Sequence, residues 1–262
     1  MTAAGAPSAA PGAQELRAAP GWRSVECISD LHLQASEPAT FEAWRRYMAA
    51  TRADALFILG DLFEAWVGDD ATGEPGFEAQ CAEILRATAQ RLPVFFVAGN
   101  RDFLVGEGLA RQTGLVLLGD PTVFTFGETR WLLSHGDALC IADTEYIAFR
   151  AQVRAAAWQR EFLALPLEKR RAIARGMRTE SEDRKRTDRE YADVDMETAL
   201  AWLREADAHT LVHGHTHLPA DHALDADHRR IVLSDWDAQA APPRLQALRI
   251  GIAGDARRIG LA

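Results

Sequence analysis

Residues 55–61 read ALFILGD, five apolar residues followed directly by a glycine and an aspartate. A short apolar run that ends at glycine is typical of a buried strand. Open α/β folds form their binding sites from residues just beyond the carboxyl ends of such strands. This run therefore predicts a central strand that presents Asp61 at one edge of a sheet.

The same arrangement recurs along the chain. Short apolar runs precede four further polar clusters, which are Asp30-Leu31-His32, Gly99-Asn100, His135-Gly136 and His213-Gly214-His215-Thr216-His217. Residues 40–52 and 78–92, which separate the first three runs, carry apolar side chains at helical spacing. Alternating strands and helices predict a layered α/β core, and the strand-rich regions 122–134 and 210–253 predict a second sheet packed against the first.

Together the five clusters offer carboxylate, amide and imidazole groups. Asp30 and His32 are two residues apart at a predicted strand end, which would direct both side chains to one face, and His215 and His217 repeat this spacing. Such ligands, without a thiolate, suit Mn²⁺, Fe²⁺ or Zn²⁺. Two such ions about 3.5–4 Å apart promote in-line displacement at phosphorus. The full set predicts a dinuclear metal site, whereas the histidine cluster alone would fit a polar turn equally well.

The composition limits the possible classes of protein. The chain has 262 residues, of which 48% are hydrophobic and 26% charged, and its net charge of −9 argues against a general nucleic-acid binder. Three cysteines without a Cys-x-x-Cys spacing predict reduced thiols in a cytoplasmic protein. No apolar run approaches the length of a membrane span.

Residues 1–20, rich in alanine, proline and glycine, predict a disordered tail before a single domain of residues 21–262.

Residues 141–205 differ from the rest of the chain because their pattern is helical throughout. Within residues 150–190, twelve basic residues stand against seven acidic ones, and the basic residues alternate with large apolar ones. Helices of this kind are typical of contacts with a membrane surface or an anionic lipid. The segment therefore predicts a helical insertion, either an ordinary solvated one or one that makes such a contact.

The five clusters, extended to Gly99-Asn100-Arg101-Asp102 and His135-Gly136-Asp137, resemble the motifs of the calcineurin-like metallophosphoesterases. The resemblance implies an α/β fold of four layers, in the order α-β-β-α, with two divalent metal ions at the site. One ion would be held by Asp30, His32, Asp61 and His217, and the other by Asp61, Asn100, His135 and His215. Asp61 would bridge the two ions, and Asp137 is expected to orient His135.

A longer motif narrows the resemblance. Residues 61–70 read DLFEAWVGDD and, with Asn100-Arg101, are similar to the UDP-2,3-diacylglucosamine pyrophosphatases. This implies Mn²⁺-dependent hydrolysis of that nucleotide lipid to UMP and 2,3-diacylglucosamine 1-phosphate, a step of lipid A biosynthesis. It also implies that helices within residues 141–205 form a lid that holds the acyl chains. The enzyme would be peripheral on the cytoplasmic face of the inner membrane. A generic phosphodiesterase or nucleotide hydrolase is the alternative, and a metal-free binding module or a membrane adaptor would represent other classes.

The resemblance also implies roles for individual residues. The catalytic set would be Asp61, Asn100, Arg101 and His135. The substrate-binding set would be Asn100, Arg101, Asp143, Tyr146, Ser181, Lys185 and His215. Lys185 and Asp188 stand where the family has asparagine and lysine, so these two contacts differ from the family pattern. For Asp69 and Asp70 the sequence leaves two roles open, as loop-holding residues or as charges near the metals.

Overall fold

The computed structural model describes residues 12–187 and 193–261 of the chain. Its strands are β1 (Gln14–Arg17), β2 (Ser24–Ile28), β3 (Ala55–Leu59), β4 (Val94–Val97), β5 (Val116–Leu118), β6 (Thr122–Phe126), β7 (Thr129–Leu133), β8 (Thr210–His213), β9 (Asp221–Ala223), β10 (Arg229–Val232), β11 (Gln246–Gly251) and β12 (Ala256–Gly260). Its α-helices are α1 (Pro38–Ala50), α2 (Phe77–Ala89), α3 (Glu107–Thr113), α4 (Thr144–Val153), α5 (Ala156–Leu163), α6 (Leu167–Thr187) and α7 (Met196–Glu205). Each polar cluster of the sequence follows a strand, as predicted.

The strands form two six-stranded mixed sheets. The first has the order β12-β11-β2-β3-β4-β5 and the second β1-β6-β7-β8-β10-β9. In β3, Leu56 and Ile58 face the helices while Phe57 and Leu59 face the second sheet, so that every residue of the strand is buried. A strand covered on both faces needs a continuous apolar run, which explains why residues 55–59 do not alternate with polar ones.

Helices cover the outer face of each sheet. Trp44 and Met48 of α1 and Leu85 of α2 pack against the first sheet. On the other side, Trp202 and Leu203 of α7 pack with Leu132 and Leu211 of the second sheet. The layers therefore follow the order helix, sheet, sheet, helix, which confirms the predicted fold class.

Two predicted boundaries are wrong. Residues 14–17, expected within a disordered tail, form β1, which pairs in parallel with β6 from Gln14 opposite Thr122 to Arg17 opposite Thr125. This edge strand is held by backbone hydrogen bonds and is largely exposed, so its sequence carries little apolar signal. Residues 1–11 lie outside the described part. The predicted insertion also extends too far, because α7 belongs to the outer layer of the sandwich, which leaves α4, α5 and α6 as the inserted helices.

The inserted helices are attached to the first sheet through the motif of residues 61–70. Phe162 of α5 is buried in the same apolar cluster as Trp66. The Arg170 side chain of α6, 2% exposed, donates to the carbonyl oxygen of Val67 and binds the Asp70 carboxylate, with Nη1 2.9 Å from Oδ1. Asp70 therefore holds the insertion.

The neighbouring Asp69 has a different partner. Its Oδ1 accepts from the Trp66 indole at 3.0 Å and from the backbone N–H of Gly106 at 3.1 Å. Asp69 thus ties its own loop to the start of α3. Of the two roles left open for this aspartate pair, Asp69 takes the loop-holding one, while Asp70 binds Arg170 of the insertion. None of the helices in the described ranges is long and apolar enough to span a bilayer.

Gly68 allows the Arg170 guanidinium to approach the backbone. Its φ is 132°, and a Cβ at this position would overlap Nη1 of Arg170. We expect Gly68→Ala to lower the free energy of unfolding by about 1–3 kcal/mol, since it adds backbone strain and displaces the guanidinium. Urea-induced unfolding would measure the change. Gly73→Ala is the matched control because a Cβ there meets open space; equal loss in both variants would contradict the interpretation.

Candidate metal centre

The candidate ligands lie in loops just beyond the carboxyl ends of five strands. Asp30 and His32 follow β2, Asp61 follows β3, and Asn100 follows β4. From the second sheet, His135 follows β7, and His215 and His217 follow β8. The two sheets thus deliver their polar residues to one common edge of the sandwich.

The backbone at these positions is mostly left-handed. Of six non-glycine residues with positive φ in the described ranges, five are candidate ligands: Asp30 (55°), His32 (47°), Asp61 (51°), His215 (67°) and His217 (55°). This conformation is uncommon outside glycine, costs on the order of 1–3 kcal/mol, and is concentrated at functional sites. The expected extended geometry of Asp30-x-His32 and His215-x-His217 is therefore wrong, although the side chains do converge.

Three side chains form the first half of the site. The ring nitrogens Nε2 of His32 and His217 lie 3.2 Å apart. Nε2 of His217 lies 3.4 Å from Oδ1 of Asp30, and Nε2 of His32 lies 3.9 Å from Oδ2 of Asp61. Asp30, His32 and His217 therefore present ligand atoms around one point.

The second half of the site lies on the other side of Asp61. Oδ1 of Asn100 is 2.9 Å from Nε2 of His135 and 2.9 Å from Nδ1 of His215. Oδ1 of Asp61 lies 3.7 Å from Nε2 of His135. Because its two carboxylate oxygens face different imidazoles, Asp61 stands between the two halves, where a bridging ligand would lie.

The electrostatics of the site favour cations. Asp30 and His135 are fully buried and Asp61 is 2% exposed. Burial would lower the pKa of His135, but the negative charges of Asp61, Asp137 and Asp30 outweigh burial and raise it to about 9. Burial, together with the charge of Asp61, raises the pKa of Asp102 to about 7. Such an excess of negative charge, surrounded by oxygen and nitrogen donors, fits divalent metal ions.

Residues 25–219 match the family model described as calcineurin-like phosphoesterase. This chain belongs to that family. A dinuclear divalent metal site is a property of the family, and the two groups of converging side chains are its possible ligands here.

Curated relatives of this phosphoesterase share a specific name. A protein of Chromohalobacter salexigens named UDP-2,3-diacylglucosamine hydrolase is 43% identical, with 84% of this chain and 95% of that protein covered. A protein of Bordetella parapertussis with the same name is 45% identical over 82% of this chain and 87% of that protein. A protein of Stenotrophomonas maltophilia, which also has this name, is 44% identical over 84% of this chain and 94% of that protein.

Two residues of the phosphoesterase site were missed by sequence reasoning. Asp102, fully buried, accepts backbone N–H groups of Gly99 and Leu62, both at 2.8 Å, and so joins the loops after β3 and β4. Oε2 of Glu64 lies 2.9 Å from Nδ1 of His32, but the angle between the two groups is not that of a hydrogen bond. Both residues stand in motifs that carried the family resemblance, but their sequence context indicated no role for either.

Glu64 also contacts two cationic side chains. Its Oε1 lies 3.2 Å from Nε of Arg178 on α6 and 3.6 Å from Nη1 of Arg101. Arg101 is thereby placed beside the first half of the site, and its backbone N–H donates to Oδ1 of Asp61 at 2.8 Å. Its predicted position next to the metal ligands agrees with this geometry.

The other predicted substrate-binding residues are placed less directly. Asp143 is exposed and caps α4, where its side chain accepts from the backbone N–H of Tyr146. The Tyr146 ring lies 6.0 Å from that of His215, while its hydroxyl donates to Asp137. Ser181 and Lys185 lie on α6, but the placement of their side chains is outside what the structure describes, as is Asp188.

The expected partnership of Asp137 with His135 is wrong. Nδ1 of His135 lies 2.9 Å from the carbonyl oxygen of Leu59, which is the partner that orients the ring. Asp137 instead accepts from residues of α4. The three cysteines are free and buried.

Replacing Asp61 should reduce the stabilisation that metal binding gives. Without metal, Asp61→Asn removes repulsion from the neighbouring carboxylates but also the attraction to His135, so this variant should unfold close to the wild-type temperature. With Mn²⁺ at one hundred times its dissociation constant, wild type should gain about 2.7 kcal/mol and the variant much less. Thermal unfolding in EDTA and in Mn²⁺ measures both effects.

Asp207→Asn is the control, because Asp207 also has positive φ but is exposed and lies outside the site. It should respond to Mn²⁺ as wild type does. An equal Mn²⁺-induced gain in the Asp61→Asn variant would show that Asp61 holds no metal.

Proposed function

We propose that this phosphoesterase hydrolyses the pyrophosphate bond of UDP-2,3-diacylglucosamine, giving UMP and 2,3-diacylglucosamine 1-phosphate, in lipid A biosynthesis. The observation that carries the proposal is a complete set of seven candidate ligands converging at one edge of the sandwich. The identity of the substrate is inferred from the names of the relatives, which are 43–45% identical over most of their length.

In the proposed assignment, Asp30, His32, Asp61 and His217 hold one divalent ion, and Asp61, Asn100, His135 and His215 hold the other. Mn²⁺ is the proposed metal, since the donors are carboxylate, amide and imidazole groups. When bound, the ions polarise phosphoryl oxygens and lower the pKa of water. Burial, with the neighbouring charge of His135, lowers the pKa of His215 to about 3, so this ring is neutral at physiological pH and can act as a ligand. His135, whose pKa is raised to about 9, would lose its proton on metal binding.

The chain's own residues then orient the diphosphate. Arg101 offers a planar guanidinium with paired N–H donors to the phosphate oxygens. Asn100 directs its carbonyl oxygen to two imidazoles, so its amide nitrogen can donate to a phosphoryl oxygen. Net hydrolysis adds the water oxygen to the α-phosphorus and breaks its bond to the bridging oxygen, which leaves with 2,3-diacylglucosamine 1-phosphate.

The inserted helices fit a lipid substrate. They carry partly exposed apolar side chains, Phe149 at 37% and Leu163 at 41%, among basic residues. We propose that this face meets the acyl chains and the cytoplasmic leaflet of the inner membrane, where the enzyme would be peripheral. On this proposal Tyr146 and Asp143 at the start of α4, with Ser181 and Lys185 on α6, contact the substrate.

Release of UMP tests the proposal directly. Purified protein with Mn²⁺ should release UMP from UDP-2,3-diacylglucosamine dispersed in detergent, and Asp61→Ala should lower kcat by about a thousandfold, since metal activation of water supplies several kcal/mol. Asp207→Ala should keep wild-type activity. Absence of UMP above a metal-free control would refute the substrate, and equal turnover of a soluble phosphodiester would favour the generic alternative.

Replacing Arg101 by lysine tests its predicted contact with phosphate. Lysine retains the charge but loses the bidentate geometry, and a hydrogen bond to a charged group contributes about 1.5–3 kcal/mol, so kcat/KM should fall about 10–100-fold. Steady-state kinetics of UMP release provide the measurement. Arg111→Lys, at an exposed site on α3, is the matched control; unchanged kinetics in both variants would remove Arg101 from the site.

A further inference from the structure

Arg154 is the C-cap residue of helix α4, and its side chain is 22% exposed. Its Nη2 donates to the carbonyl oxygens of Ala98 and Gly99, both at 3.1 Å. The same nitrogen lies 3.5 Å from Oδ2 of Asp137. One guanidinium of the insertion thus contacts two loops of the sandwich.

Each of these contacts falls on a segment that delivers a candidate ligand. Ala98 and Gly99 directly precede Asn100, and Asp137 follows His135 by two residues. The first segment leaves β4 of one sheet and the second leaves β7 of the other. Arg154 therefore joins the two sheets close to the point where Asn100 and His135 meet at 2.9 Å.

The surroundings of Asp137 make this connection rigid. The carboxylate is fully buried, and its Oδ2 accepts from the Tyr146 hydroxyl at 2.5 Å and from Nε of Arg150 at 2.8 Å. Arg150 also reaches Asp120 at 3.5 Å, and Asp120 accepts from the hydroxyl of Ser134 at 2.6 Å. Helix α4 is thus fixed to both sides of His135 by buried charged groups.

We propose that Arg154 is a positioning residue that couples the insertion to the half of the metal centre formed by Asn100, His135 and His215. By holding the loops after β4 and β7 together, it sets the affinity of that half for its divalent ion. The inference rests on the proposed function, because it concerns the same two-ion site. A merely structural ion pair would instead affect both halves, or neither.

The planar guanidinium is required for this role. It reaches two carbonyl oxygens and a carboxylate at once, whereas a lysine ammonium is a single compact donor on a flexible stem. Arg154→Lys therefore retains the charge beside Asp137 but loses the connection between the loops. Arg154→Ala removes both.

Metal titration of the metal-free protein tests the proposal. Mn²⁺ would be added stepwise and the free ion followed by its electron paramagnetic resonance signal, with two sites expected in wild type. Loss of a residue that orients metal ligands typically weakens binding about 10–100-fold, so Arg154→Ala should weaken one site by this factor and leave the other unchanged. Arg154→Lys should weaken the same site. Arg160→Ala, exposed on α5, is the matched control and should bind both ions normally.

Kinetics supply a second readout. The activity of Arg154→Ala should recover in excess Mn²⁺, with the KM for the nucleotide lipid unchanged, since the residue acts through the metal half-site. Wild-type affinity at both sites in folded variants would overturn the inference, and so would parallel weakening of both sites. If Arg154→Ala does not fold, the Mn²⁺ titration of Arg154→Lys tests the inference by the same criteria.

Metal binding and UMP release, measured on the same protein preparation, distinguish failure of this inference from failure of the proposed function. Wild-type protein that binds two ions and releases UMP, while the Arg154 variants bind metal normally, overturns this inference alone. Wild-type protein that binds fewer than two ions overturns the dinuclear centre, and this inference with it.

Discussion

The structure depends on how the sandwich stabilises several carboxylates that are buried together at one edge of its two sheets. Asp30, Asp61, Asp102 and Asp137 are each 2% exposed or less. An isolated carboxylate in such an environment is unfavourable unless it is paired or hydrogen-bonded. The fold meets this requirement differently for each residue, and those differences divide the site into a supporting part and a part available to cations.

The supporting carboxylates have their partners within the chain. Asp102 is surrounded by backbone N–H groups, and Asp137 by Tyr146 and Arg150. Asp30 and Asp61 also accept hydrogen bonds, from the N–H of His215 and of Arg101. Yet both of these also face imidazoles at 3.4–3.9 Å. The negative charge that raises the pKa of His135 is therefore what a pair of divalent ions would neutralise.

The sequence was sufficient to predict the strands that precede the five polar clusters because an apolar run is a local signal, whereas the exposed strand β1 carries no such signal. Apolar runs ending in glycine mark buried strands, and the residues after them share an edge in parallel sheets. The four-layer order came from the resemblance to a family. The left-handed backbone at Asp30 and His215 could not be predicted from local sequence, since the contact that joins them, from the N–H of His215 to the Asp30 carboxylate, spans 185 residues. Arg170 and Asp70 are 100 residues apart, and no local pattern pairs them.

The left-handed conformation of five candidate ligands limits which residues can occupy these positions. Glycine, asparagine and aspartate adopt it with little strain, while β-branched residues do so poorly. Selection for folding alone would consequently enrich glycine, asparagine and aspartate at His32, His215 and His217. Selection for catalysis would retain the present side chains. In a randomised library, the positions where residue frequencies differ between the two selections would identify the functional site without any bound ligand. At these positions the chain keeps a residue with an unfavourable backbone conformation because its side chain is needed for chemistry.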